Sequence, residues 1–239
     1  MISVIVPAYN EAQNLSRTIE ETVNMLERCG LEYEVIVVDD GSADGTYEKA
    51  LALAEEHENV RAFGYVENMG KGHALKHGFQ FAQGDRVLFL DADSDLPPSQ
   101  IPKFLDYMGE NEADVVIGSK RHPLSKVEFP LSRRILSRGY KSLVRIMFNL
   151  NVADTQVGIK LFQREVLERV FPKVLVKRYA FDLELLVNAA RSGYRIAEAP
   201  VELNFHDHSG VDFKGIGRIL LDTLAVFYRM RILHYYEKG

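Results

Sequence analysis

Short aliphatic and β-branched runs alternate along the first half of the chain with longer segments whose apolar positions recur every three to four residues. Residues 2–6, 33–38, 60–65, 86–90 and 114–118 have the length and composition of strands. Residues 11–29, 46–58, 72–82 and 98–109 carry the helical period between them, with Pro98 in a first turn and Gly30 and Gly109 at helix ends. Strands alternating with helices predict an α/β fold with a mostly parallel central sheet flanked by helices. There is no repeat, low-complexity stretch or Pro/Gly/Ser-rich linker, so residues 1–239 are expected to form a single domain.

In such a sheet, ligands bind beyond the carboxyl ends of the strands. Four polar clusters fall at those ends: Pro7 to Glu11, Asp39 to Ser42, Asn68 to Gly72, and Asp91 to Asp95. In the last, a buried strand delivers Asp91, Asp93 and Asp95 at alternate positions. If the backbone stays extended they point the same way and converge on a hard cation, Mg²⁺ or Mn²⁺, able to bridge a diphosphate. The plainer alternative is an acidic loop capping the helix that begins near Pro98. Asp39, Asp40, Gly41 and Ser42 suit a base or ribose, and equally a simple turn. Asn68, Met69, Gly70, Lys71 and Gly72 offer a flexible loop, a cation and a helix N-terminus to phosphate, without the spacing of a P-loop.

Composition narrows the class. At 46% hydrophobic and 10% aromatic, the chain can bury a core. The single cysteine, Cys29, leaves no internal disulfide and suits a reducing, cytoplasmic compartment. No secretory leader is expected, because the apolar opening is interrupted at Pro7, and no apolar run is long enough to span a bilayer. The net charge of −5 argues against nucleic acid, but it is unevenly spread. Residues 118–152 hold eight basic residues against one acid, a balance of +7, which points to an anionic partner or to a solvated basic face.

Within that segment, Arg134, Arg138, Lys141 and Arg145 form one stripe of a helix over 131–150; Leu136, Tyr140, Leu143, Met147 and Leu150 form another. Residues 216–236 make a second amphipathic helix with Ile216, Leu220, Leu224 and Phe227 in one row and Ile219, Val226, Met230 and Leu233 in the next. Either helix would suit a membrane surface or the protein's own core. His73 and His77 lie one helical turn apart, but no third ligand accompanies them, so surface or packing roles are expected.

Taken together, Val4 to Glu11, Val38 to Ser42, Asn68 to Gly72 and Asp91 to Asp93 resemble the family 2 inverting glycosyltransferases of GT-A fold. Asp154 to Phe162 and Tyr179 to Leu186 resemble, within that family, the polyprenyl-phosphate enzymes that glucosylate dolichyl phosphate. The resemblance implies hexose transfer from a nucleotide sugar to polyprenyl or dolichyl phosphate at the cytoplasmic face of a membrane, directly or beside a membrane partner subunit. UDP-glucose is favoured over GDP-mannose, since mannose-transferring relatives tend to lack the lysine of the 70–72 loop and carry Gln where Asp95 stands; UDP-GlcNAc stays open.

Residue by residue, the resemblance sets Pro7, Tyr9, Glu11 and Asp39 around the base and ribose. Lys71 approaches the nucleotide, Asp91 the ribose or metal, Asp93 ligates the metal and Asp95 assists it. Lys120 or Arg121, with Arg133 and Ser137, would hold the acceptor phosphate. His208 and Lys214 would close over the diphosphate. Residues 1–118 then form the nucleotide-sugar half and 119–239 the acceptor half. A phosphate acceptor is already anionic and needs no strong base, whereas a hydroxyl acceptor would need one, for which Asp182 is the candidate. Rival readings are a glycosyltransferase with a hydroxyl acceptor, a nucleotidyltransferase releasing pyrophosphate, and a non-catalytic nucleotide-sugar sensor.

Overall fold

The computed structural model describes residues 1–125, 131–178, 180–203 and 213–237, without the side chains of 131–138 and 213–216. Seven strands form one sheet: β1 (Ile2–Ala8), β2 (Tyr33–Asp40), β3 (Val60–Tyr65), β4 (Arg86–Leu90), β5 (Val115–Ser119), β6 (Ile159–Gln163) and β7 (Ile196–Pro200). Their order is β3-β2-β1-β4-β6-β5-β7. All pairings are parallel except those of β6, which runs antiparallel to both β4 and β5. The fold is the mostly parallel α/β sheet that the alternating pattern predicts.

Alternation along each strand divides two cores. Val4, Val6, Val35, Val37, Leu88 and Leu90 face one, which is closed by α1 (Leu15–Arg28), α2 (Thr46–Glu56) and α4 (Ile101–Glu110). Ile5, Ile36, Val38 and Phe89 face the other, with α3 (Lys71–Phe79), α5 (Leu131–Phe148), α6 (Arg164–Val170), α7 (Phe181–Arg191) and α8 (Phe213–Arg231). On α1, Leu15, Thr18, Ile19, Thr22, Val23 and Leu26 make the buried stripe at a three-to-four spacing. In α7 the nine residues from 181 to 189 are all buried, Asp182, Glu184 and Asn188 among them. Polar groups sealed inside a helix must find partners: Asp182 pairs with Lys160, Glu184 accepts from Leu175 N, and Asn188 Nδ2 donates to Glu184 O at 2.9 Å.

The two amphipathic helices pack together. Tyr140 Oη and Thr223 Oγ1 are 3.1 Å apart, and Phe148 meets Phe227 edge-on. Val144, Phe148, Val226 and Met230 are buried, while Leu221, Leu224 and Tyr228 stand exposed along α8, and Ile232 just beyond it. Each helix thus serves the core with one face and leaves another uncovered. Among the described residues, no helix is long and apolar enough to cross a membrane.

Candidate active site

β2 and β3 extend from one side of β1, whereas β4 lies on its other side. The chain therefore reverses its winding between β1 and β4, and the carboxyl ends of these strands frame the crevice where such sheets bind ligands. Three of the four predicted clusters, ending β1, β2 and β4, border it directly; the fourth starts α3.

The β1 and β2 exits are stitched together. Asn10, at φ 55, donates its N–H to Ser42 Oγ (2.9 Å), and its side-chain carbonyl accepts from Ala43 N (3.1 Å). Glu11 N donates to Thr46 Oγ1 at 2.9 Å, and the Glu11 carboxylate accepts from Asn14 Nδ2 at 2.9 Å. Tyr9 is left 48% exposed beside Pro7, a free ring face at the crevice rim. Asp39 is buried; its Oδ2 accepts from Ser42 N at 3.1 Å, while its buried Oδ1 has no hydrogen-bond partner. Such an atom costs free energy unless a ligand donates to it.

Asp40 takes the other side of the strand and organises the protein. Its carboxylate accepts from Tyr65 Oη (2.7 Å), Asn68 Nδ2 (3.0 Å), Met69 N (2.9 Å) and Gly70 N (2.9 Å). These bonds shape the 68–70 turn, where Gly70 adopts φ +95 against Lys177 O. A Cβ there would come within 2.6 Å of that carbonyl, so only glycine fits. The turn delivers Lys71 as the first residue of α3.

Lys71 Nζ lies 2.5 Å from Asp91 Oδ1, at the exit of β4. Burial opposes the ammonium charge, but Asp91, Asp182 and Asp93 outweigh it and hold Lys71 above its ordinary value. Behind it, Lys160 of β6 and Asp182 of α7 form a buried pair at 2.7 Å, with Lys160 also donating to Val157 O at 2.5 Å. Burial would raise the Asp182 carboxyl; Lys160 and Lys71 overcome that and lower it. Lys160 is lowered by burial, with Asp182 opposing. Asp182 is thus a fixed anion in a salt bridge. The structure joins Lys71, Asp91, Asp182 and, through Lys160, a group that sequence reasoning missed.

The extended course expected from Asp91 to Asp95 is replaced by a turn at Ala92 and Asp93 and a bend at Ser94, whose φ is 60. Thr18 of α1 fixes the bend, donating to Ala92 O at 3.0 Å and meeting Ser94 Oγ at 2.7 Å. Asp91 consequently turns to Lys71, and Asp93 Oδ1 accepts from Asp95 N at 3.1 Å. Among the described residues no three His, Cys, Asp or Glu side chains form a group poised for a metal ion. Burial, then the neighbouring Asp91, raises the Asp93 carboxyl to about 6; the hydrogen bond from Asp95 N opposes this, and the Asp95 and Glu11 charges add smaller upward pushes. An excess of negative charge around hard oxygen donors fits a divalent cation.

At the same end of the sheet, Lys120 and Arg121 are half-buried in the turn after β5. That turn is fixed by His122 N and Ser125 Oγ donating to Ser119 O, at 3.1 and 2.6 Å. Arg133 lies on α5 and Lys214 on α8, as does Ser137 on α5, but their side chains are outside the described residues; His208 is outside them altogether. His73 and His77 pack edge-on to Tyr65, with ring centroids 5.1 and 5.6 Å away.

The family model described as glycosyl transferase family 2 matches residues 3–171. A dolichyl-phosphate β-glucosyltransferase of Trichomonas vaginalis, ALG5D, is 37% identical over 247 aligned residues, covering 97% of this chain and 75% of the relative. The glycosyltransferase AglD of Haloferax volcanii is 34% identical over 93% of this chain, which spans only 36% of that protein. Among solved structures, glucosyl-3-phosphoglycerate synthase of Mycobacterium tuberculosis with Mn²⁺, UDP and phosphoglyceric acid superposes with a TM-score of 0.71. It is 23% identical, over 95% of this chain and 77% of that one. From the turn that presents Lys71 to the acidic exit of β4, the crevice lies inside the span of the matching family, and the chain belongs to the family 2 glycosyltransferases.

Proposed function

We propose that this enzyme transfers glucose from UDP-glucose to a polyprenyl or dolichyl phosphate, with inversion and with a divalent cation, Mg²⁺ or Mn²⁺. The observation that carries the reading is the likeness to a dolichyl-phosphate β-glucosyltransferase over 97% of the chain. Residues 1–118 supply the donor side of a single domain and residues 119–239 the acceptor side.

Asp39 offers its unpartnered Oδ1 to the base or ribose, with Pro7, Tyr9 and Glu11 around it. Asp93, assisted by Asp95 and with Asp91 alongside, would hold the cation. When bound, it supplies positive charge to the leaving diphosphate. Lys71 adds a second positive charge, kept protonated by Asp91 and Asp182. His208 and Lys214 would close over the diphosphate. Lys120, Arg121, Arg133 and Ser137 hold the acceptor phosphate, one of whose oxygens attacks the anomeric carbon on the face opposite UDP. The bond from that carbon to the UDP oxygen breaks as the new carbon–oxygen bond forms, and UDP leaves with the electron pair. Because the acceptor is already anionic, Asp182 is free to serve as a counter-ion; its pairing with Lys160 supports that over general-base catalysis of a hydroxyl.

On this reading the acceptor's hydrocarbon chain brings the enzyme to a membrane surface, for which we propose the cytoplasmic face, directly or beside a membrane partner subunit. Arg145 and Ile146, exposed on α5, and the uncovered apolar row of α8 suit an anionic lipid surface. Competition binding tests the donor: UDP should displace a fluorescent UDP-glucose analogue at least tenfold better than GDP does. Equal displacement by GDP would remove the uridine assignment.

A further inference from the structure

Glu184, on α7, is 0% exposed. Its carboxylate nevertheless receives four donors. Oε2 accepts the backbone N–H groups of Leu175 (2.8 Å) and Val176 (2.7 Å). Oε1 accepts Arg229 Nη2 of α8 at 3.0 Å and the hydroxyl of Tyr236, in the turn after α8. Arg229 Nε also donates to Tyr236 Oη at 3.1 Å. Four donors saturate a carboxylate's acceptor sites, so the group is locked from both sides.

The segment that Glu184 holds continues as the rear wall of the 68–72 turn. Lys177 O accepts from Gly72 N at 2.9 Å, and Arg178 Nη2 donates to Asn68 O at 3.0 Å. A Cβ on Gly70 would come within 2.6 Å of Lys177 O, and one on Gly72 would overlap the Phe181 ring. The two glycines flanking Lys71 therefore leave no gap between turn and wall; a shift of 175–178 must move the turn.

We propose that Glu184 is a positioning residue for donor binding: through the 175–178 wall it fixes the turn that aims Lys71, and α8 with Tyr236 acts on the donor site through it. The proposal rests on the reading of Lys71 as a contact of the donor diphosphate. A buried ion pair that served only stability would tie α7 to α8 without any such effect.

The test is calorimetric titration of UDP with Mn²⁺ into the whole chain, alongside thermal melting. Wild type, Glu184→Gln, Tyr236→Phe, Lys71→Met and the Lys71→Met/Glu184→Gln double variant are compared. Glu184→Gln should weaken UDP about tenfold and Tyr236→Phe about threefold, the milder change removing one donor of the four. In the Lys71→Met background, Glu184→Gln should change affinity less than about twofold, because the route runs through the missing ammonium. Lowered melting temperatures with unchanged UDP affinity would overturn the proposal, as would the same tenfold loss without Lys71. Should Glu184→Gln not fold, Tyr236→Phe alone, and combined with Lys71→Met, decides the question in the same way. Wild-type protein that binds neither UDP nor GDP would overturn the donor reading and this proposal with it; wild-type binding undisturbed by the variants overturns the proposal alone.

Discussion

Lys71 Nζ and Asp91 Oδ1 are 2.5 Å apart, which joins the start of α3 to the exit of β4. Both are placed by glycines. Gly70 lets the turn press against Lys177, and Gly158, just before β6, leaves the space that the Asp91 carboxylate fills. Gly158→Ala would put a methyl group into that carboxylate and expel it from Lys71. We expect kcat/KM to fall about a hundredfold, the scale on which one preorganised charge contributes. Steady-state kinetics check this; a fall below threefold would show that the pair is dispensable.

Asp93 is expected to show opposite effects on stability and on activity. Its folded pKa is raised to about 6, so ionising it costs folded stability as pH rises from the ordinary carboxylate value through about 6. At neutral pH without metal, Asp93→Asn should therefore raise the melting temperature by about 2–4 °C, as roughly 1 kcal/mol does in a chain of this size. The same variant should lose both turnover and the stabilisation that Mn²⁺ gives the wild type. A lower melting temperature without metal would contradict the charge excess.

Lys160 and Asp182 illustrate what the sequence concealed. The strands of the first half were legible as short runs rich in apolar residues between helical segments: β4, continuously apolar after Arg86, begins and ends where its composition predicts. β6 was not, since Lys160 interrupts its apolar pattern, and nothing local shows that its charge meets Asp182 on another element. Asp39 and Asp40 look alike in local sequence, and it is the family resemblance that assigns Asp39 to the base or ribose. Strand alternation sends one to the crevice and the other to the 68–70 turn, a choice made by which face of β2 each occupies. At the β4 exit the assumption of extended backbone failed because Thr18, from a distant helix, holds a bend at Ser94.

Breaking the buried pair from one side should be far worse than removing it. Asp182→Asn leaves the Lys160 charge buried and is expected to cost about 3–5 kcal/mol; adding Lys160→Met should restore at least half. The pH sign follows from Asp182, whose folded pKa is lowered by Lys160 and Lys71 against burial. The pair's contribution is present above about pH 4 and lost as pH falls through the lowered value. Denaturant unfolding from pH 7 to pH 3 should accordingly be steeper in pH for the wild type than for the double variant; parallel curves would refute the pairing.

Leu221 and Leu224 are 68% and 53% exposed on α8, so changing both to Gln should leave the melting temperature within about 2 °C. Co-sedimentation with vesicles containing anionic lipid should fall at least about tenfold, given the ~1.5–3 kcal/mol carried by each leucine that leaves water. Unchanged sedimentation would remove this face from the membrane contact.

The most direct test is transfer itself: radiolabelled UDP-glucose and GDP-mannose, each with a short polyprenyl phosphate, with Mn²⁺ and with chelator. The account predicts a glucosylated lipid phosphate formed from UDP-glucose only when the cation is present, with release of UDP. Nucleotide binding without lipid labelling from either donor, or labelling that persists in chelator, would contradict it.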